Sequence, residues 1–586
     1  MTDRTADIPA AYPSEWHVIY EDPTPLKDSP VAPDDGASDG HGVDGFFGAA
    51  RWSRYTGFNP ATFTYKKGET LYSGGPAFQS DITFEQDVEV VLRDGKKLYV
   101  DVFRPTGATE PLPAIVVYGP YGKSVPTNPR WVFPGPLGES MVGAISGLTR
   151  FEGPDPDFWA ANGYVVVSAD PRGVNSSEGD IHAWGRVQAG DTYDVIEWAA
   201  EQDWSNGKVG LSGVSWLGLQ QWYAAALQPP HLAAIAPWGA HQHDIYRQDV
   251  LTGGIPGYGF NEMIMKSLSG GNKVEAVYAM AEKYPLWNAY WEDKAADLEK
   301  VEVPVYSVGN LGFLGVDSDG YRGAASHDKW LVIQHDNQWH DMYAPERVDE
   351  LRRFFDKYLK GLDNGWEETP KVRVPVVDVL KGMMGNIEEK REAYVREGDA
   401  WPLPGTRYTK YYLDADTGTL STDLPNPSSL SYDAETETKT FTLTFDQETE
   451  LTGYLSLRLH VEADGADDAD VFVSVEKLGT DDSVLYMAAL GRQRVSLRAL
   501  DPEKSEPYLP VHSFVRNEPL SPGEIVPVDI AINPTAILFH PGEKLRVTVG
   551  GNALAFLVTP SNSGRHVLHT GAGHDSHVLV PVITEG

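Results

Sequence analysis

Cysteine is absent from the 586-residue chain, which removes disulfides, thiolate nucleophiles and cysteine-based zinc sites in one step. Basic residues are scarce beside acidic ones: 48 Lys and Arg against 84 Asp and Glu leave a formal net charge of −36. A field of that sign repels phosphate backbones, so no nucleic-acid partner is expected, and the acidity reads as a solubilising surface. No run approaches the ~20 uninterrupted apolar residues that would cross a bilayer, so no membrane partner is expected either. Residues 1–11 carry Asp3, Arg4 and Asp7 and lack the apolar core of a signal peptide, which makes the cytoplasm the expected location.

The residues that are present describe a globular protein of several domains. Hydrophobic residues make up 41% of the chain, enough to bury real cores over a length that suits two to four domains. Residues 1–80 are rich in Pro, Asp and Gly and show little periodicity, so a loop-rich extension is expected there. Two alternating runs then flank Asp94-Gly95, a hairpin signal. Apolar runs at 114–118, 164–168, 208–211, 303–308 and 330–333 read as buried strands. Helical patterns at 191–202, 215–227 and 345–359 lie between and after them. Such alternation predicts an α/β fold with a mainly parallel sheet covered on both faces. Between 240 and 300 the strand signal stops, and helices are expected over 273–282 and 285–300. From about 370 the chain alternates at period two between turns such as Pro522-Gly523 and Pro541-Gly542, which predicts an antiparallel sandwich or jelly roll.

The sharpest chemical feature is Gly210-Leu-Ser-Gly-Val-Ser-Trp-Leu-Gly218. A short strand runs into Gly213, Ser215 follows, and an Ala-rich helix starts at once. A nucleophile elbow needs this layout, because the tight turn admits only small neighbours and lifts the hydroxyl clear of the sheet edge. One departure stands out: Leu217 occupies the place of the second glycine in the generic G-x-S-x-G, and Gly218 follows it. Ser215 is thus the candidate nucleophile of an α/β-hydrolase domain built from 81–239 and 301–365. A helical cap (240–300) and a β jelly-roll domain (370–586) complete the expected organisation.

Several further segments carry a resemblance. Arg93-Asp-Gly-Lys-Lys-Leu98, Pro120-Tyr-Gly-Lys123, Asp170-Pro-Arg-Gly173, Ser177-Glu-Gly179, Asp203-Trp-Ser-Asn-Gly207, the elbow and Phe354-Phe-Asp-Lys-Tyr-Leu-Lys-Gly361 follow one another in order. In these the chain resembles the CocE/NonD family, the cocaine esterase and Xaa-Pro dipeptidyl-peptidase group of serine hydrolases, from about residue 82 to the end. The resemblance implies an oxyanion hole formed by the Trp216 backbone N–H and the Tyr121 hydroxyl. Two donors aimed at the tetrahedral oxyanion stabilise charge that exists only in the transition state.

Chain order in this fold puts an acid and then a histidine after the serine. The loop after 330–333 offers His340 and His335 as the base. The family places Trp, one residue, then His, whereas here Trp339 runs directly into His340; His340 is the choice and His335 the alternative. For the acid the family shows Gly-Trp-x-Asp, and Gly309-Asn-Leu-Gly312 has no carboxylate at that place. Asp317 is chosen, with Asp319 or no aspartate as alternatives.

Arg172 and Glu178 read as a salt-bridged structural loop, and His241, His243 and Asp244 have too few companions for a metal site, so no metal and no cofactor are expected. The expected partner is a small-molecule ester or amide, held by cap aromatics such as Trp287, Tyr290 and Trp291. An aminopeptidase would also need a cap carboxylate, Glu262 or Glu282. A catalytically impaired binding protein is the reading from another class, and a homo-oligomeric state is left open.

Overall fold

The computed structural model describes residues 8–22, 57–123, 128–129, 135–239, 243–257, 264–265, 268, 272–311, 318–335, 337–383, 386–552 and 563–584. The hairpin expected around Asp94-Gly95 is formed by β1 (Ile82–Val91) and β2 (Lys97–Pro105), with Gly95 at φ 83° in the turn. There follow β3 (Leu112–Tyr118), β4 (Val165–Asp170), helix α1 (Gly185–Ala200), β5 (Ser205–Val214) and helix α2 (Trp216–Ala226). Then come β6 (Leu232–Trp238), β7 (Val305–Asn310), β8 (Lys329–Gln334), the short helix α3 (Gln338–Tyr343) and α4 (Pro345–Lys360).

Pairing gives the sheet order β1-β2-β4-β3-β5-β6-β7-β8, antiparallel at β1, β2 and β4 and parallel from β4 onward. All six residues of β4 are buried, as a strand covered on both faces requires. Helix α4 shows how sequence sets an element: Pro345 opens it, Gly361 closes it in the left-handed conformation at φ 70°, and Leu351, Phe354, Phe355 and Leu359 form its buried stripe.

The sheet does not stop at β8. Val372–Met383 pairs in parallel with it at Leu331 and Val332 and turns back antiparallel against Asn386–Gly398. The C-terminal part is antiparallel throughout its main pairings. Thr449–Asp464 is flanked by Val526–Phe539 on one edge and by Arg565–Thr570 and His577–Ile583 on the other, while Asp470–Leu478 pairs with Val484–Arg494 and Lys544–Gly550. Between these sheets lies a core that includes Leu457, Leu459, Val473, Ile530 and Val547. The α/β class with a β-rich C-terminal jelly roll is the architecture expected from the pattern.

Two segments differ from expectation. Part of the loop-rich extension is built into the fold: Ala61–Tyr65 adds to the edge of β1, and Tyr20–Glu21 pairs with Val274–Glu275. The helical stretches of 273–300 are also shorter than the sequence pattern, at Val277–Lys283 and Ala289–Asp293. Pro285 interrupts the run, Asn288 caps the second helix through its side chain, and the next residue, Lys294, is drawn inward to Glu275 at 2.9 Å.

Candidate active site

Strand β5 delivers Val214 to the carboxyl edge of the sheet and α2 begins at Trp216, so Ser215 forms the turn between them. Its backbone stands at φ 55°, ψ −121°, a strained conformation that costs a non-glycine residue on the order of 1–3 kcal/mol. Three hydrogen bonds hold it: Ser215 N–H donates to the Trp238 carbonyl at the end of β6 (2.9 Å), Leu219 N–H to the Ser215 carbonyl (2.8 Å), and Val214 N–H to the Glu152 carbonyl (2.9 Å). Gly213, at φ 151°, leaves the room the turn requires, since a Cβ there would lie 2.5 Å from Leu217 Cβ. The unusual Leu217 fits because the residue facing it is Gly119, just past β3, where a Cβ would meet Leu217 Cδ1 at 2.3 Å. The small residue that the generic motif keeps on the helix is here supplied by the neighbouring loop.

Tyr121 lies two residues beyond Gly119 and lines the same cavity as Ser215. Burial, with the nearby Glu152 carboxyl, pushes the phenol well above its ordinary value, so it remains a donor. Its loop is tied down on both sides. Lys123 is buried between Asp87 and Asp101 at 2.5 and 2.9 Å, and the Arg150 guanidinium donates to the carbonyls of Val117, Gly119 and Ala169. Trp216 is the first residue of α2, where a backbone N–H has no acceptor within the helix. Its ring stacks on Trp184 at 3.8 Å and its indole N–H donates to Gln188 Oε1. The structure thus brings Ser215, Tyr121 and Trp216 together.

The expected base is not brought to Ser215. His340 lies on α3 and is exposed, outside the cavity that contains Ser215. His335 is buried at the end of β8 with its Nε2 2.9 Å from the Pro375 carbonyl, which ties it to the sheet's continuation. Asp317 lies outside the described residues. Asp319 is described: it accepts from Gln248 Nε2, from the Tyr454 hydroxyl and from Arg322. The α3 residues nearest the elbow are Gln338 and Trp339. Gln338 Oε1 would lie 2.2 Å from a Cβ on Gly239, the residue after β6, and Trp339 Nε1 donates to Glu152 Oε1 at 2.8 Å.

Ser215 opens into a cavity of about 1200 Å³, above the ~300–1,000 Å³ typical of small-molecule pockets, with room for both halves of a cleavable substrate. Its walls include Tyr121, Trp216, Trp184 and Trp287. The expectation for Tyr290 and Trp291 is corrected: both are fully buried, Tyr290 bonded to Glu275 and Trp291 to the Tyr284 carbonyl, because the short helix carrying them turns its aromatic face into the core. Glu282 is exposed, and Glu262 lies outside the described residues.

Sequence reasoning missed two contributions to this cavity. Phe472, Arg492, Ile532 and Asn533 come from the C-terminal strands, so the jelly roll forms part of the wall. His243 also faces the cavity, near Asp319 and Asp244, and burial holds its imidazole below its ordinary value against the pull of those carboxylates. The weak His241-x-His243-Asp244 pattern was its only sequence signal.

Arg172 is bonded to Asp191 and Asp94, and Glu178 caps Lys97, the structural roles expected of them. Among the described residues Asp378, His540 and Glu543 have a ligand-like spacing. The Lys477 ammonium already sits there, 2.7 Å from Asp378 and 2.8 Å from Glu543, and supplies the positive charge.

Sheet order, strained serine and cavity define a serine hydrolase of the α/β-hydrolase class. Residues 94–273 match the X-Pro dipeptidyl-peptidase (S15) family and residues 364–579 the X-Pro dipeptidyl-peptidase C-terminal non-catalytic domain. A cocaine esterase from Rhodococcus sp. is 26% identical over 619 residues, spanning 85% of this chain and 98% of that protein. The crystal structure of a CocE/NonD family hydrolase from Staphylococcus aureus superposes with a TM-score of 0.80 at 32% identity, covering 90% of this chain and 97% of that one. An α-amino-acid ester hydrolase shares the fold at a TM-score of 0.65 and 18% identity, over 86% of this chain and 97% of its own. The chain belongs to the CocE/NonD family of hydrolases. No described helix is long and apolar enough to cross a membrane.

Proposed function

We propose that the protein hydrolyses small carboxylic esters through an acyl-enzyme on Ser215, with amides or Xaa-Pro peptides as the second substrate class. The observation that carries this reading is the strained Ser215, facing the same aromatic-walled cavity as Tyr121. Ser215 Oγ attacks the carbonyl carbon while its proton passes to a base. The tetrahedral oxyanion is received by the Tyr121 hydroxyl and the Trp216 N–H, backed by the positive end of α2. Collapse breaks the ester bond, the base returns the proton to the leaving alcohol, and water repeats the sequence on the acyl-enzyme. The segment 240–300 acts as the cap that, with the jelly-roll wall, selects the acyl group.

Chain order leaves His340 and His335, and the match of Trp339 to the family's tryptophan favours His340 on α3 as the base. A second reading assigns it to His243, because that imidazole faces the same cavity as Ser215 with Asp319 and Asp244 beside it. The cavity's other described histidine, His512, is buried, and that burial pushes its imidazole down to about 4. A fluorophosphonate probe and a panel of acyl esters, amides and Xaa-Pro dipeptide anilides test the proposal. Wild type should label and turn over esters fastest, and Ser215→Ala should do neither, with kcat down by about 10⁴ or more. A variant at this position that still hydrolyses the panel at wild-type rate refutes the assignment.

A further inference from the structure

Glu152 has no sequence motif to recommend it, yet it is bonded both to the elbow and to α3. Its backbone is strained, at φ 65° in the left-handed region that a glutamate seldom occupies. Its carbonyl accepts from Val214 N–H, one residue before the nucleophile. Its side chain is 1% exposed; Oε1 accepts from Trp339 on α3, and buried Oε2 has no hydrogen-bond partner among the described residues. Its neighbour Phe151 packs edge-on against the Tyr121 ring at 5.1 Å and lies 6.0 Å from the Trp339 ring. The next residue, Gly153, accepts from the Tyr343 hydroxyl at the end of α3. A structural link between α3 and the elbow would need only an amide or a carbonyl. A buried carboxyl with one oxygen unpaired is an expensive choice for that task unless its charge state matters.

We propose that Glu152 is a positioning residue of the acyl-transfer site, whose neutral carboxyl joins α3 to the elbow and whose ionisation places a negative charge beside Tyr121 that opposes the oxyanion. This deepens the Ser215 reading and rests on it. Burial pushes the Glu152 carboxyl up to about 8, against the lowering effects of the Trp339 hydrogen bond and Arg150. At neutral pH the group is therefore mostly protonated, with Oε1 accepting from the indole and the proton on Oε2. Burial holds Arg150 down only to about 10, so it stays charged, and burial lifts Tyr121 and Tyr343 well above the ordinary phenol value. Asp155, in the same loop, is bonded to Ser146, and Asp341 on α3 is paired with Arg347. His340 on α3 is exposed.

The sign follows directly. A group that must be neutral for turnover and ionises near 8 leaves kcat intact below that value. It then produces an about ten-fold fall between pH 7 and pH 9. Glu152→Gln keeps an acceptor for Trp339 and cannot ionise. The experiment is the pH profile of kcat on one ester for wild type, Glu152→Gln and Ser215→Ala, with probe labelling and thermal midpoint measured on each. The expected result is a Glu152→Gln enzyme that folds, labels, works near the wild-type rate at pH 7 and lacks the fall to pH 9. A fall unchanged in Glu152→Gln overturns the proposal, and so does a folded Glu152→Gln protein that is inactive at pH 7, because the carboxylate itself would then be required. If Ser215→Ala retains turnover, the acyl-enzyme reading fails instead, and the two failures are told apart by the same measurements.

Discussion

Replacing Tyr121 by Phe removes one oxygen from the site and almost nothing else. The ring is 4% exposed and wedged edge-on against Phe151, so the phenylalanine stays in place and the void is too small to collapse the loop. Lys123 between Asp87 and Asp101, and Arg150 on the carbonyls of Val117 and Gly119, hold that loop without help from the hydroxyl. Folding should therefore lose only a neutral hydrogen bond, about 0.5–1.5 kcal/mol. The transition state loses one of two oxyanion donors, about 2.7–4 kcal/mol, which is a factor of about 10²–10³ in kcat. KM should hardly move, because a ground-state carbonyl makes little use of the donor. Since burial keeps the Tyr121 phenol protonated far above its ordinary range, the loss should be the same from pH 6 to pH 9. Steady-state kinetics on a chromogenic ester, with a thermal melt as control, measure all of this. A kcat within about three-fold of wild type, or an effect confined to KM, refutes the role given to Tyr121.

The base is settled by probe labelling of three alanine variants. His335→Ala should leave most of the labelling; loss at His340→Ala assigns the base to α3, whose imidazole must then turn inward from solvent, while loss at His243→Ala with normal labelling of the other two gives the role to the cavity wall. Lys294→Met should destabilise the protein by about 3–5 kcal/mol, because it strands the fully buried Glu275 carboxylate, paired at 2.9 Å, without a counter-charge. Burial alone would raise the Glu275 carboxyl, but Lys294 and its hydrogen bonds hold it below its ordinary value, so this contribution is present at neutral pH and lost on acidification. The denaturation-midpoint gap between wild type and Lys294→Met should accordingly narrow below about pH 4. A gap that widens there contradicts the assignment. Protease cleavage near residues 8–22 should also quicken in that variant, since Lys294 Nζ donates to the Tyr12 hydroxyl.

What the sequence determined by itself was whatever depends on short-range sterics and periodicity. The Asp94-Gly95 hairpin, the buried runs that became β3, β4, β5, β7 and β8, the Pro345–Lys360 helix between its proline and glycine, and Gly213-Val-Ser215 at a strand–helix junction all follow from residues a few positions apart. Tertiary structure decided where distant segments meet. Leu217 is tolerated in the elbow because Gly119, ninety-eight positions earlier, leaves it a space. Tyr290 and Trp291 went into the core and not the cavity because Glu275 and the Tyr284 carbonyl claim their polar ends. His340 follows Trp339 in sequence, yet the helix that begins at Gln338 turns its imidazole to solvent, while His243 and strands about 260 to 320 residues beyond Ser215 close the cavity. Glu152 carries no local signature at all. Its carboxyl matters only because packing places it between Val214, Tyr121 and Trp339 and excludes the water that would otherwise keep it ionised.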